Sequence, residues 1–215
     1  MKKYISEFLG TYFLVFAGTG AIIINSLHQG VITHAGIAIT FGLVVMSMIY
    51  AFGDISGAHL NPAVSIAFTL AKKFPAAQLL PYILFQLAGA IAASATLRLL
   101  FPANELLGAT LPSGTEAQSF TMELLLTFFL MLVILSVSSD GKEKGMFAGL
   151  AIGAVVALEA MFAGPVCGAS MNPARSIGPA IISGHLYSLW LYIAAPVLGA
   201  ALAVPLVRIL NNSEK

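Results

Sequence analysis

The sequence predicts an all-α membrane protein with six transmembrane helices plus two re-entrant half-helices, arranged as an inverted repeat. Three observations lead there. The chain of 215 residues is 59% hydrophobic and only 9% charged, whereas soluble domains carry roughly 25% charged residues; mean hydropathy is +0.94. Long apolar segments recur along its length. The pattern G-A-x-x-N-P-A-x-S occurs twice, from Gly57 to Ser65 and from Gly168 to Ser176, once in each half.

The apolar segments run from Ile5 to Asn25, His34 to Gly53, Gln78 to Phe101, Phe120 to Ser139, Met146 to Ala163 and Tyr187 to Leu210. Each is near the ~20 residues a spanning helix needs. Glu7 interrupts the first, which argues against a signal peptide, and its surroundings have a copy in the second half. The boxes follow the second and fifth segments. Asn is a favoured helix N-cap and Pro a favoured first helical residue. Val64–Leu70 and Ser176–Ile182 then continue as helices of roughly ten residues, about 15 Å long, enough to cross half a bilayer core.

The halves repeat. Glu7, Thr11, Phe13 and Leu14 match Glu123, Thr127, Phe129 and Leu130; Tyr82, Gly89, Ala90 and Arg98 match Tyr192, Gly199, Ala200 and Arg208. Three spans per repeat is odd, so the second repeat enters from the opposite side and the broken elements meet near the midplane. Residues 1–215 read as one transmembrane domain: a first repeat over about 1–101, an external connecting loop over about 102–117 and a second repeat over about 118–215. Lys2, Lys3, Lys72, Lys73, Lys142, Lys144, Arg208 and Lys215 fall on one side, which the positive-inside rule makes cytoplasmic, with both termini. Short tails and no targeting segment fit a cell (plasma or inner) membrane.

The boxes define the candidate site. Half-helix N-termini meeting at midplane present unpaired N–H groups and partial positive charge. The Asn61 and Asn172 amides would cap their helices through oxygen and turn N–H donors into a pore. The non-helical stretches Gly53–Leu60 and Gly164–Met171 would line it with carbonyls, since such backbone is tolerated at membrane depth only in protein or beside a water-filled cavity. Gly57, Gly164 and Gly168 would permit the turns. Ala58, His59 and Ser170 belong to the same pore-loop backbone. The alternative is two ordinary turns closing a packed bundle, which the repetition disfavours. Arg175, three residues after Asn172, lies inside an otherwise uncharged stretch and is a functional residue by default.

This pair of Asn-Pro-Ala boxes resembles the aquaporin and glycerol-facilitator family of channels, and the resemblance runs through nearly the whole chain. The segment from Phe162 through Ser176 is similar to the plant nodulin-26-like branch and its bacterial relatives. The resemblance implies a pore centre at Asn61-Pro62-Ala63 and Asn172-Pro173-Ala174, and a filter at Phe41, Ala160, Ala169 and Arg175, with Glu159 the neighbouring register for Ala160. Water-selective members usually have His where Ala160 stands. Glycerol facilitators usually have Trp at Phe41, Phe at Ala169 and Asp after the Arg, where this chain has Ser176. The expected filter has one aromatic wall and two small residues. The resemblance further implies a homotetramer, with Glu7 and Glu123 supporting the pore loops by accepting their N–H groups.

The function expected is a passive channel for water and small uncharged solutes: glycerol, urea and metalloid acids, with protons and ions excluded. A strictly water-selective channel, an ion-coupled secondary transporter using Glu7 and Glu123, and a scaffold that has kept the fold stand as alternatives. Its partners are the lipid bilayer and these solutes. Net charge is +1, so nothing points to nucleic acid, and no residue pattern calls for catalysis, a metal or a cofactor. His59 faces the pore or packs beside the loop. Glu159 reads as a helix-end residue, either a pore-mouth acid or a solvated interfacial one. Cys167, the single cysteine, is either a mercurial-sensitive pore residue or a small apolar filler.

Overall fold

A computed structural model describes residues 1–138 and 142–212. Among these residues the regular structure is helical throughout. The spans are α1 (Lys2–Leu27), α2 (Thr33–Ser56), α4 (Leu79–Leu100), α5 (Glu116–Val137), α6 (Lys142–Cys167) and α8 (Leu191–Asn212); the short helices α3 (Pro62–Leu70) and α7 (Pro173–Ser183) lie between them. Among the described residues six helices are long and apolar enough to cross a membrane. The half-helices have 9 and 11 residues, hence lengths of about 14 and 17 Å.

Caps set the half-helix starts. Asn61 is extended (φ −155°) and its Oδ1 accepts from Ala63 N at 2.9 Å. Asn172 is extended (φ −149°) and its Oδ1 accepts from Ala174 N at 3.0 Å. The preceding spans run further than expected. α2 continues to Ser56 and α6 to Cys167, so the non-helical backbone shrinks to residues 57–61 and 168–172. Gly53 and Gly164 are helical, and Gly164 matters for space, because a Cβ there would stand 2.8 Å from His34 Cε1. The last span starts later, at Leu191.

Two packings repeat. α1 lies on α4 and α5 on α8, while α2 and α6 pack together across the halves. A Cβ on Gly89 would stand 2.3 Å from Phe8 O, and one on Gly199 would stand 2.2 Å from Leu124 O. Small residues therefore let both span pairs approach backbone to backbone. The half-helices are exchanged: α7 packs mainly on α4, and α3 mainly on α8. Each half thus closes the other. At one end, Lys3 donates to the Gln78 side chain, and Arg208 donates to Leu70 O at 2.6 Å. The N-terminal end of α1, the end of α3 and the end of α8 are gathered there. The side chains of Lys142 and Lys144, and Lys215 altogether, lie outside the described residues.

Candidate functional site

Gly57 and Gly168 end their helices in the left-handed region (φ +85° and +83°), and the same backbone sequence follows in each copy. Ala58 and Leu60 have φ of +45° and +53°; Ala169 and Met171 have +41° and +54°. Each such non-glycine residue stores roughly 1–3 kcal/mol of strain, so something must hold the loops. Glu7 and Glu123 do so. Glu7 accepts from His59 N at 2.9 Å and Leu60 N at 2.7 Å. Glu123 accepts from Ser170 N at 2.7 Å and Met171 N at 2.8 Å. Both carboxylates are fully buried. A trans peptide sets its C=O opposite its N–H. With these N–H groups turned to the carboxylates, the carbonyls of Ala58, His59, Ala169 and Ser170 point away from them.

The two loops are tied together at their tips. Asn61 Nδ2 donates to Met171 O at 2.8 Å, and Asn172 Nδ2 donates to Leu60 O at 2.8 Å. The sequence-based expectation had each amide cap its helix through oxygen and point its N–H donors into a pore. One N–H of each –NH2 is instead spent on the opposite loop, leaving one over.

A cavity of about 550 Å³ runs past this junction. Phe41, Ala160, Ala169 and Arg175 line it, with Asn61, Asn172 and residues Gly57, Ala58, His59, Leu60, Ser170 and Met171. One wall is the polar loop backbone. The opposite wall is apolar: α2 contributes Phe41, Val45 and Ile49, and α6 contributes Ala148, Ile152, Val156 and Ala160. Both are strips at four-residue spacing, one face of a helix. Sequence reasoning missed Val45, Ile49, Ala148, Ile152 and Val156, although stepping four residues along each helix from Phe41 and Ala160 finds them.

Arg175 is buried at 3% exposure, which excludes an Arg snorkelling to the surface. Its Nη1 donates to Gly108 O at 2.7 Å, and its Cζ lies 5.0 Å from the Phe41 ring centroid. The connecting segment 102–117 therefore reaches the site. It also binds there through Thr110 Oγ1, which donates to Ser176 Oγ at 2.8 Å, and through Ser113, whose N and Oγ both donate to Val166 O.

Several expected residues fall elsewhere. Ala63 and Ala174 are fully buried in the packing around the half-helices, and neither they nor Pro62 and Pro173 line the cavity. A proline at the first helical turn shapes the backbone, not the lumen. Gly168 backs onto the connecting segment, where its Cβ would stand 3.0 Å from Thr110 Cγ2. Glu159 is neither at a helix end nor solvated: it is 4% exposed within α6, and Ala160 takes the cavity position. Cys167 is fully buried, its thiol directed to Ala163 O at 3.6 Å, and it does not line the cavity. His59 does both things expected of it. It borders the cavity, packs against Phe68, Phe74 and Tyr82, and places Nδ1 3.0 Å from Ser65 Oγ.

Comparison with known proteins shows which family and fold the chain resembles. A model of the major intrinsic protein family matches residues 1–206. The chain is 52% identical to aquaporin NIP1-1 of Zea mays, over 99% of this chain and 77% of that one. It is 46% identical to nodulin-26 of Glycine max, over 100% of this chain and 80% of the relative. Its fold matches the aquaglyceroporin of Plasmodium falciparum with a TM-score of 0.84 at 26% identity, covering 95% of this chain and 93% of that one.

Proposed function

The chain belongs to the major intrinsic protein family, as a multi-pass membrane channel for water and small solutes and not an enzyme, and from that premise we propose that its pore is broad enough for uncharged solutes such as glycerol, urea and metalloid acids. The observation that carries the reading is the set of four side chains in the cavity lining: Phe41 and Arg175, whose guanidinium carbon lies 5.0 Å from the ring centroid, with only the methyl groups of Ala160 and Ala169 beside them. Two methyl groups leave room that a histidine or a second aromatic would fill. The amphipathic wall suits a polyol or urea, whose polar edge meets loop carbonyls while its carbon skeleton lies on Val45, Ile49, Ile152 and Val156.

Selectivity against ions rests on three groups. Arg175 sets a buried positive charge at the filter. The N-termini of α3 and α7 add partial positive charge at the junction. The remaining Asn61 and Asn172 N–H groups favour an acceptor oxygen there and orient a water file oppositely on either side, which breaks a proton wire, as in aquaporin-type channels generally. Glu7 and Glu123 keep the loop carbonyls aimed at the lumen. Residues 1–215 act as one channel domain built of repeats 1–101 and 118–215 joined by 102–117. Four copies assemble as a homotetramer in the cell membrane, with both termini cytoplasmic. Support for the assembly is the outward apolar face of α2, with Ile39 and Leu43 exposed, which lipid or neighbouring subunits must cover.

Stopped-flow light scattering on proteoliposomes tests the reading, with water, glycerol and urea gradients in parallel. Rapid flux of all three, indifferent to proton and sodium gradients, is the expected result. Vesicles that pass water but stay closed to glycerol and urea would overturn the proposed breadth.

A further inference from the structure

We propose that Gly18, on α1 and outside the cavity, sets the filter's aperture by giving the Phe41 ring a place to lie clear of the lumen; this rests on the reading of Phe41, Ala160, Ala169 and Arg175 as the constriction. Gly18 is buried behind the ring. A Cβ there would stand 2.2 Å from Phe41 Cε1, 2.4 Å from Cζ and 2.6 Å from Cδ1, all on one ring edge. Carbon atoms pack at about 3.5–4.0 Å. A single added methyl must therefore displace the ring by about 1 Å or more.

The direction of that displacement is constrained. Phe41 is bordered both by Gly18 and by the Arg175 guanidinium, 5.0 Å from its centroid. α2 cannot carry the ring away by sliding, because its next residue, Gly42, is in close contact with α6; a Cβ on Gly42 would stand 2.5 Å from Gly153 O. The ring must turn about its own side-chain torsions, away from Gly18, and the open space beside it is the cavity that it lines. The next residue of α1 backs the other wall of the filter. A Cβ on Gly108, whose carbonyl holds Arg175, would stand 2.8 Å from Thr19 Cβ. Consecutive residues of α1 thus support the aromatic and the cationic sides. The aperture depends on a residue that no permeating molecule touches.

A double-mutant cycle tests this, using the full-length chain in proteoliposomes normalised to reconstituted protein: parent, Gly18→Ala, Phe41→Ala and the double variant. Steric discrimination by one methyl group is worth about tenfold. Gly18→Ala is expected to lower glycerol and urea flux by about that factor, with water flux changed by no more than about twofold. In the Phe41→Ala background the same methyl meets no ring and leaves all fluxes unchanged. An unaltered glycerol-to-water ratio in Gly18→Ala, or an equal loss with and without Phe41, overturns the proposal. If the parent itself excludes glycerol and urea, the broad-pore reading fails separately. Gly18 is then judged on water: flux must fall in Gly18→Ala and not in the double variant, and equal behaviour overturns it.

Discussion

The two pore loops share a backbone and differ in what restrains them. The first is held from within its own repeat. Glu7 takes four donors: His59 N, Leu60 N, Ser56 Oγ at 2.8 Å and Gln86 Nε2 at 2.8 Å. Gln86 also reaches Ser65, and Tyr82 OH donates to Ser56 O. In the second repeat the equivalent of Gln86 is Pro196 and that of Ser56 is Cys167. Tyr192, the equivalent of Tyr82, has no hydrogen-bond partner for its hydroxyl among the described residues. What the second loop has instead is the connecting segment, through Gly108, Thr110 and Ser113. Of the two, the second box alone carries residues of the proposed filter, Ala169 in its loop and Arg175 on α7. Fixing it from the connecting segment lets that segment help shape the proposed filter, while the first loop serves as the fixed half of the junction.

Removing each carboxylate is the largest way to break this comparison. Glu7→Ala strands two backbone N–H groups, one hydroxyl and one amide N–H, whereas Glu123→Ala strands two backbone N–H groups. Each buried group left unpaired costs about 1–3 kcal/mol. Glu7→Ala is expected to lose several kcal/mol and with it most of the folded channel; Glu123→Ala loses about half as much. Thermal unfolding of the detergent-solubilised variants measures both. Equal losses, or a larger one at Glu123, would show that the connecting segment adds nothing to the second loop.

The residue at the Arg175 position in the first box is Val64, so Arg175→Val makes the two boxes alike at that position. A cation within ~7 Å of a unit positive charge meets a barrier of about 2 kcal/mol at an effective dielectric of 20. Losing it should raise proton or sodium leak by roughly 30-fold, since 1.4 kcal/mol is about tenfold. Water flux persists. Potential-driven cation uptake into vesicles reads the leak, and vesicles as tight as the parent's would mean that the half-helix N-termini and the Asn pair exclude cations unaided.

How much of this was legible in the sequence follows from the range of the interactions. The spans, the two half-helices and their Asn-Pro starts are local, set by apolar runs and cap chemistry, and the structure matches them to within a few residues at most ends. The larger errors came where a helix ends against a long-range contact. α6 runs through Pro165 to Cys167 because Gly168 turns only where it meets Thr110. The exchange of α3 and α7 between halves, the Asn61–Met171 and Asn172–Leu60 bonds and the hold of Gly108 on Arg175 join residues far apart in the chain. Periodicity along one helix carries no trace of these. Glu159 misled for the same reason: its burial is a property of its neighbours, not of its own segment.

The smallest expected effect concerns the residue at which the two loops differ by one atom. Cys167 stands where the first repeat has Ser56, whose hydroxyl donates to Glu7. Cys167→Ser puts the same hydroxyl beside Glu123 on a side chain of nearly the same shape, and a hydrogen bond to a charged group is worth about 1.5–3 kcal/mol at most. Part of that is forfeited, because the thiol is already within weak hydrogen-bonding reach of Glu123 and of Ala163 O, the latter at 3.6 Å. The net gain in unfolding stability should be about 1 kcal/mol or less. Flux is untouched, since the side chain is fully buried and off the cavity, and a mercurial should leave water flux of parent and variant alike. Mercurial block of the parent that the serine abolishes would place the thiol in the lumen. A loss of stability in Cys167→Ser would mean that Glu123 is already fully held and that the second loop needs no donor from its own repeat.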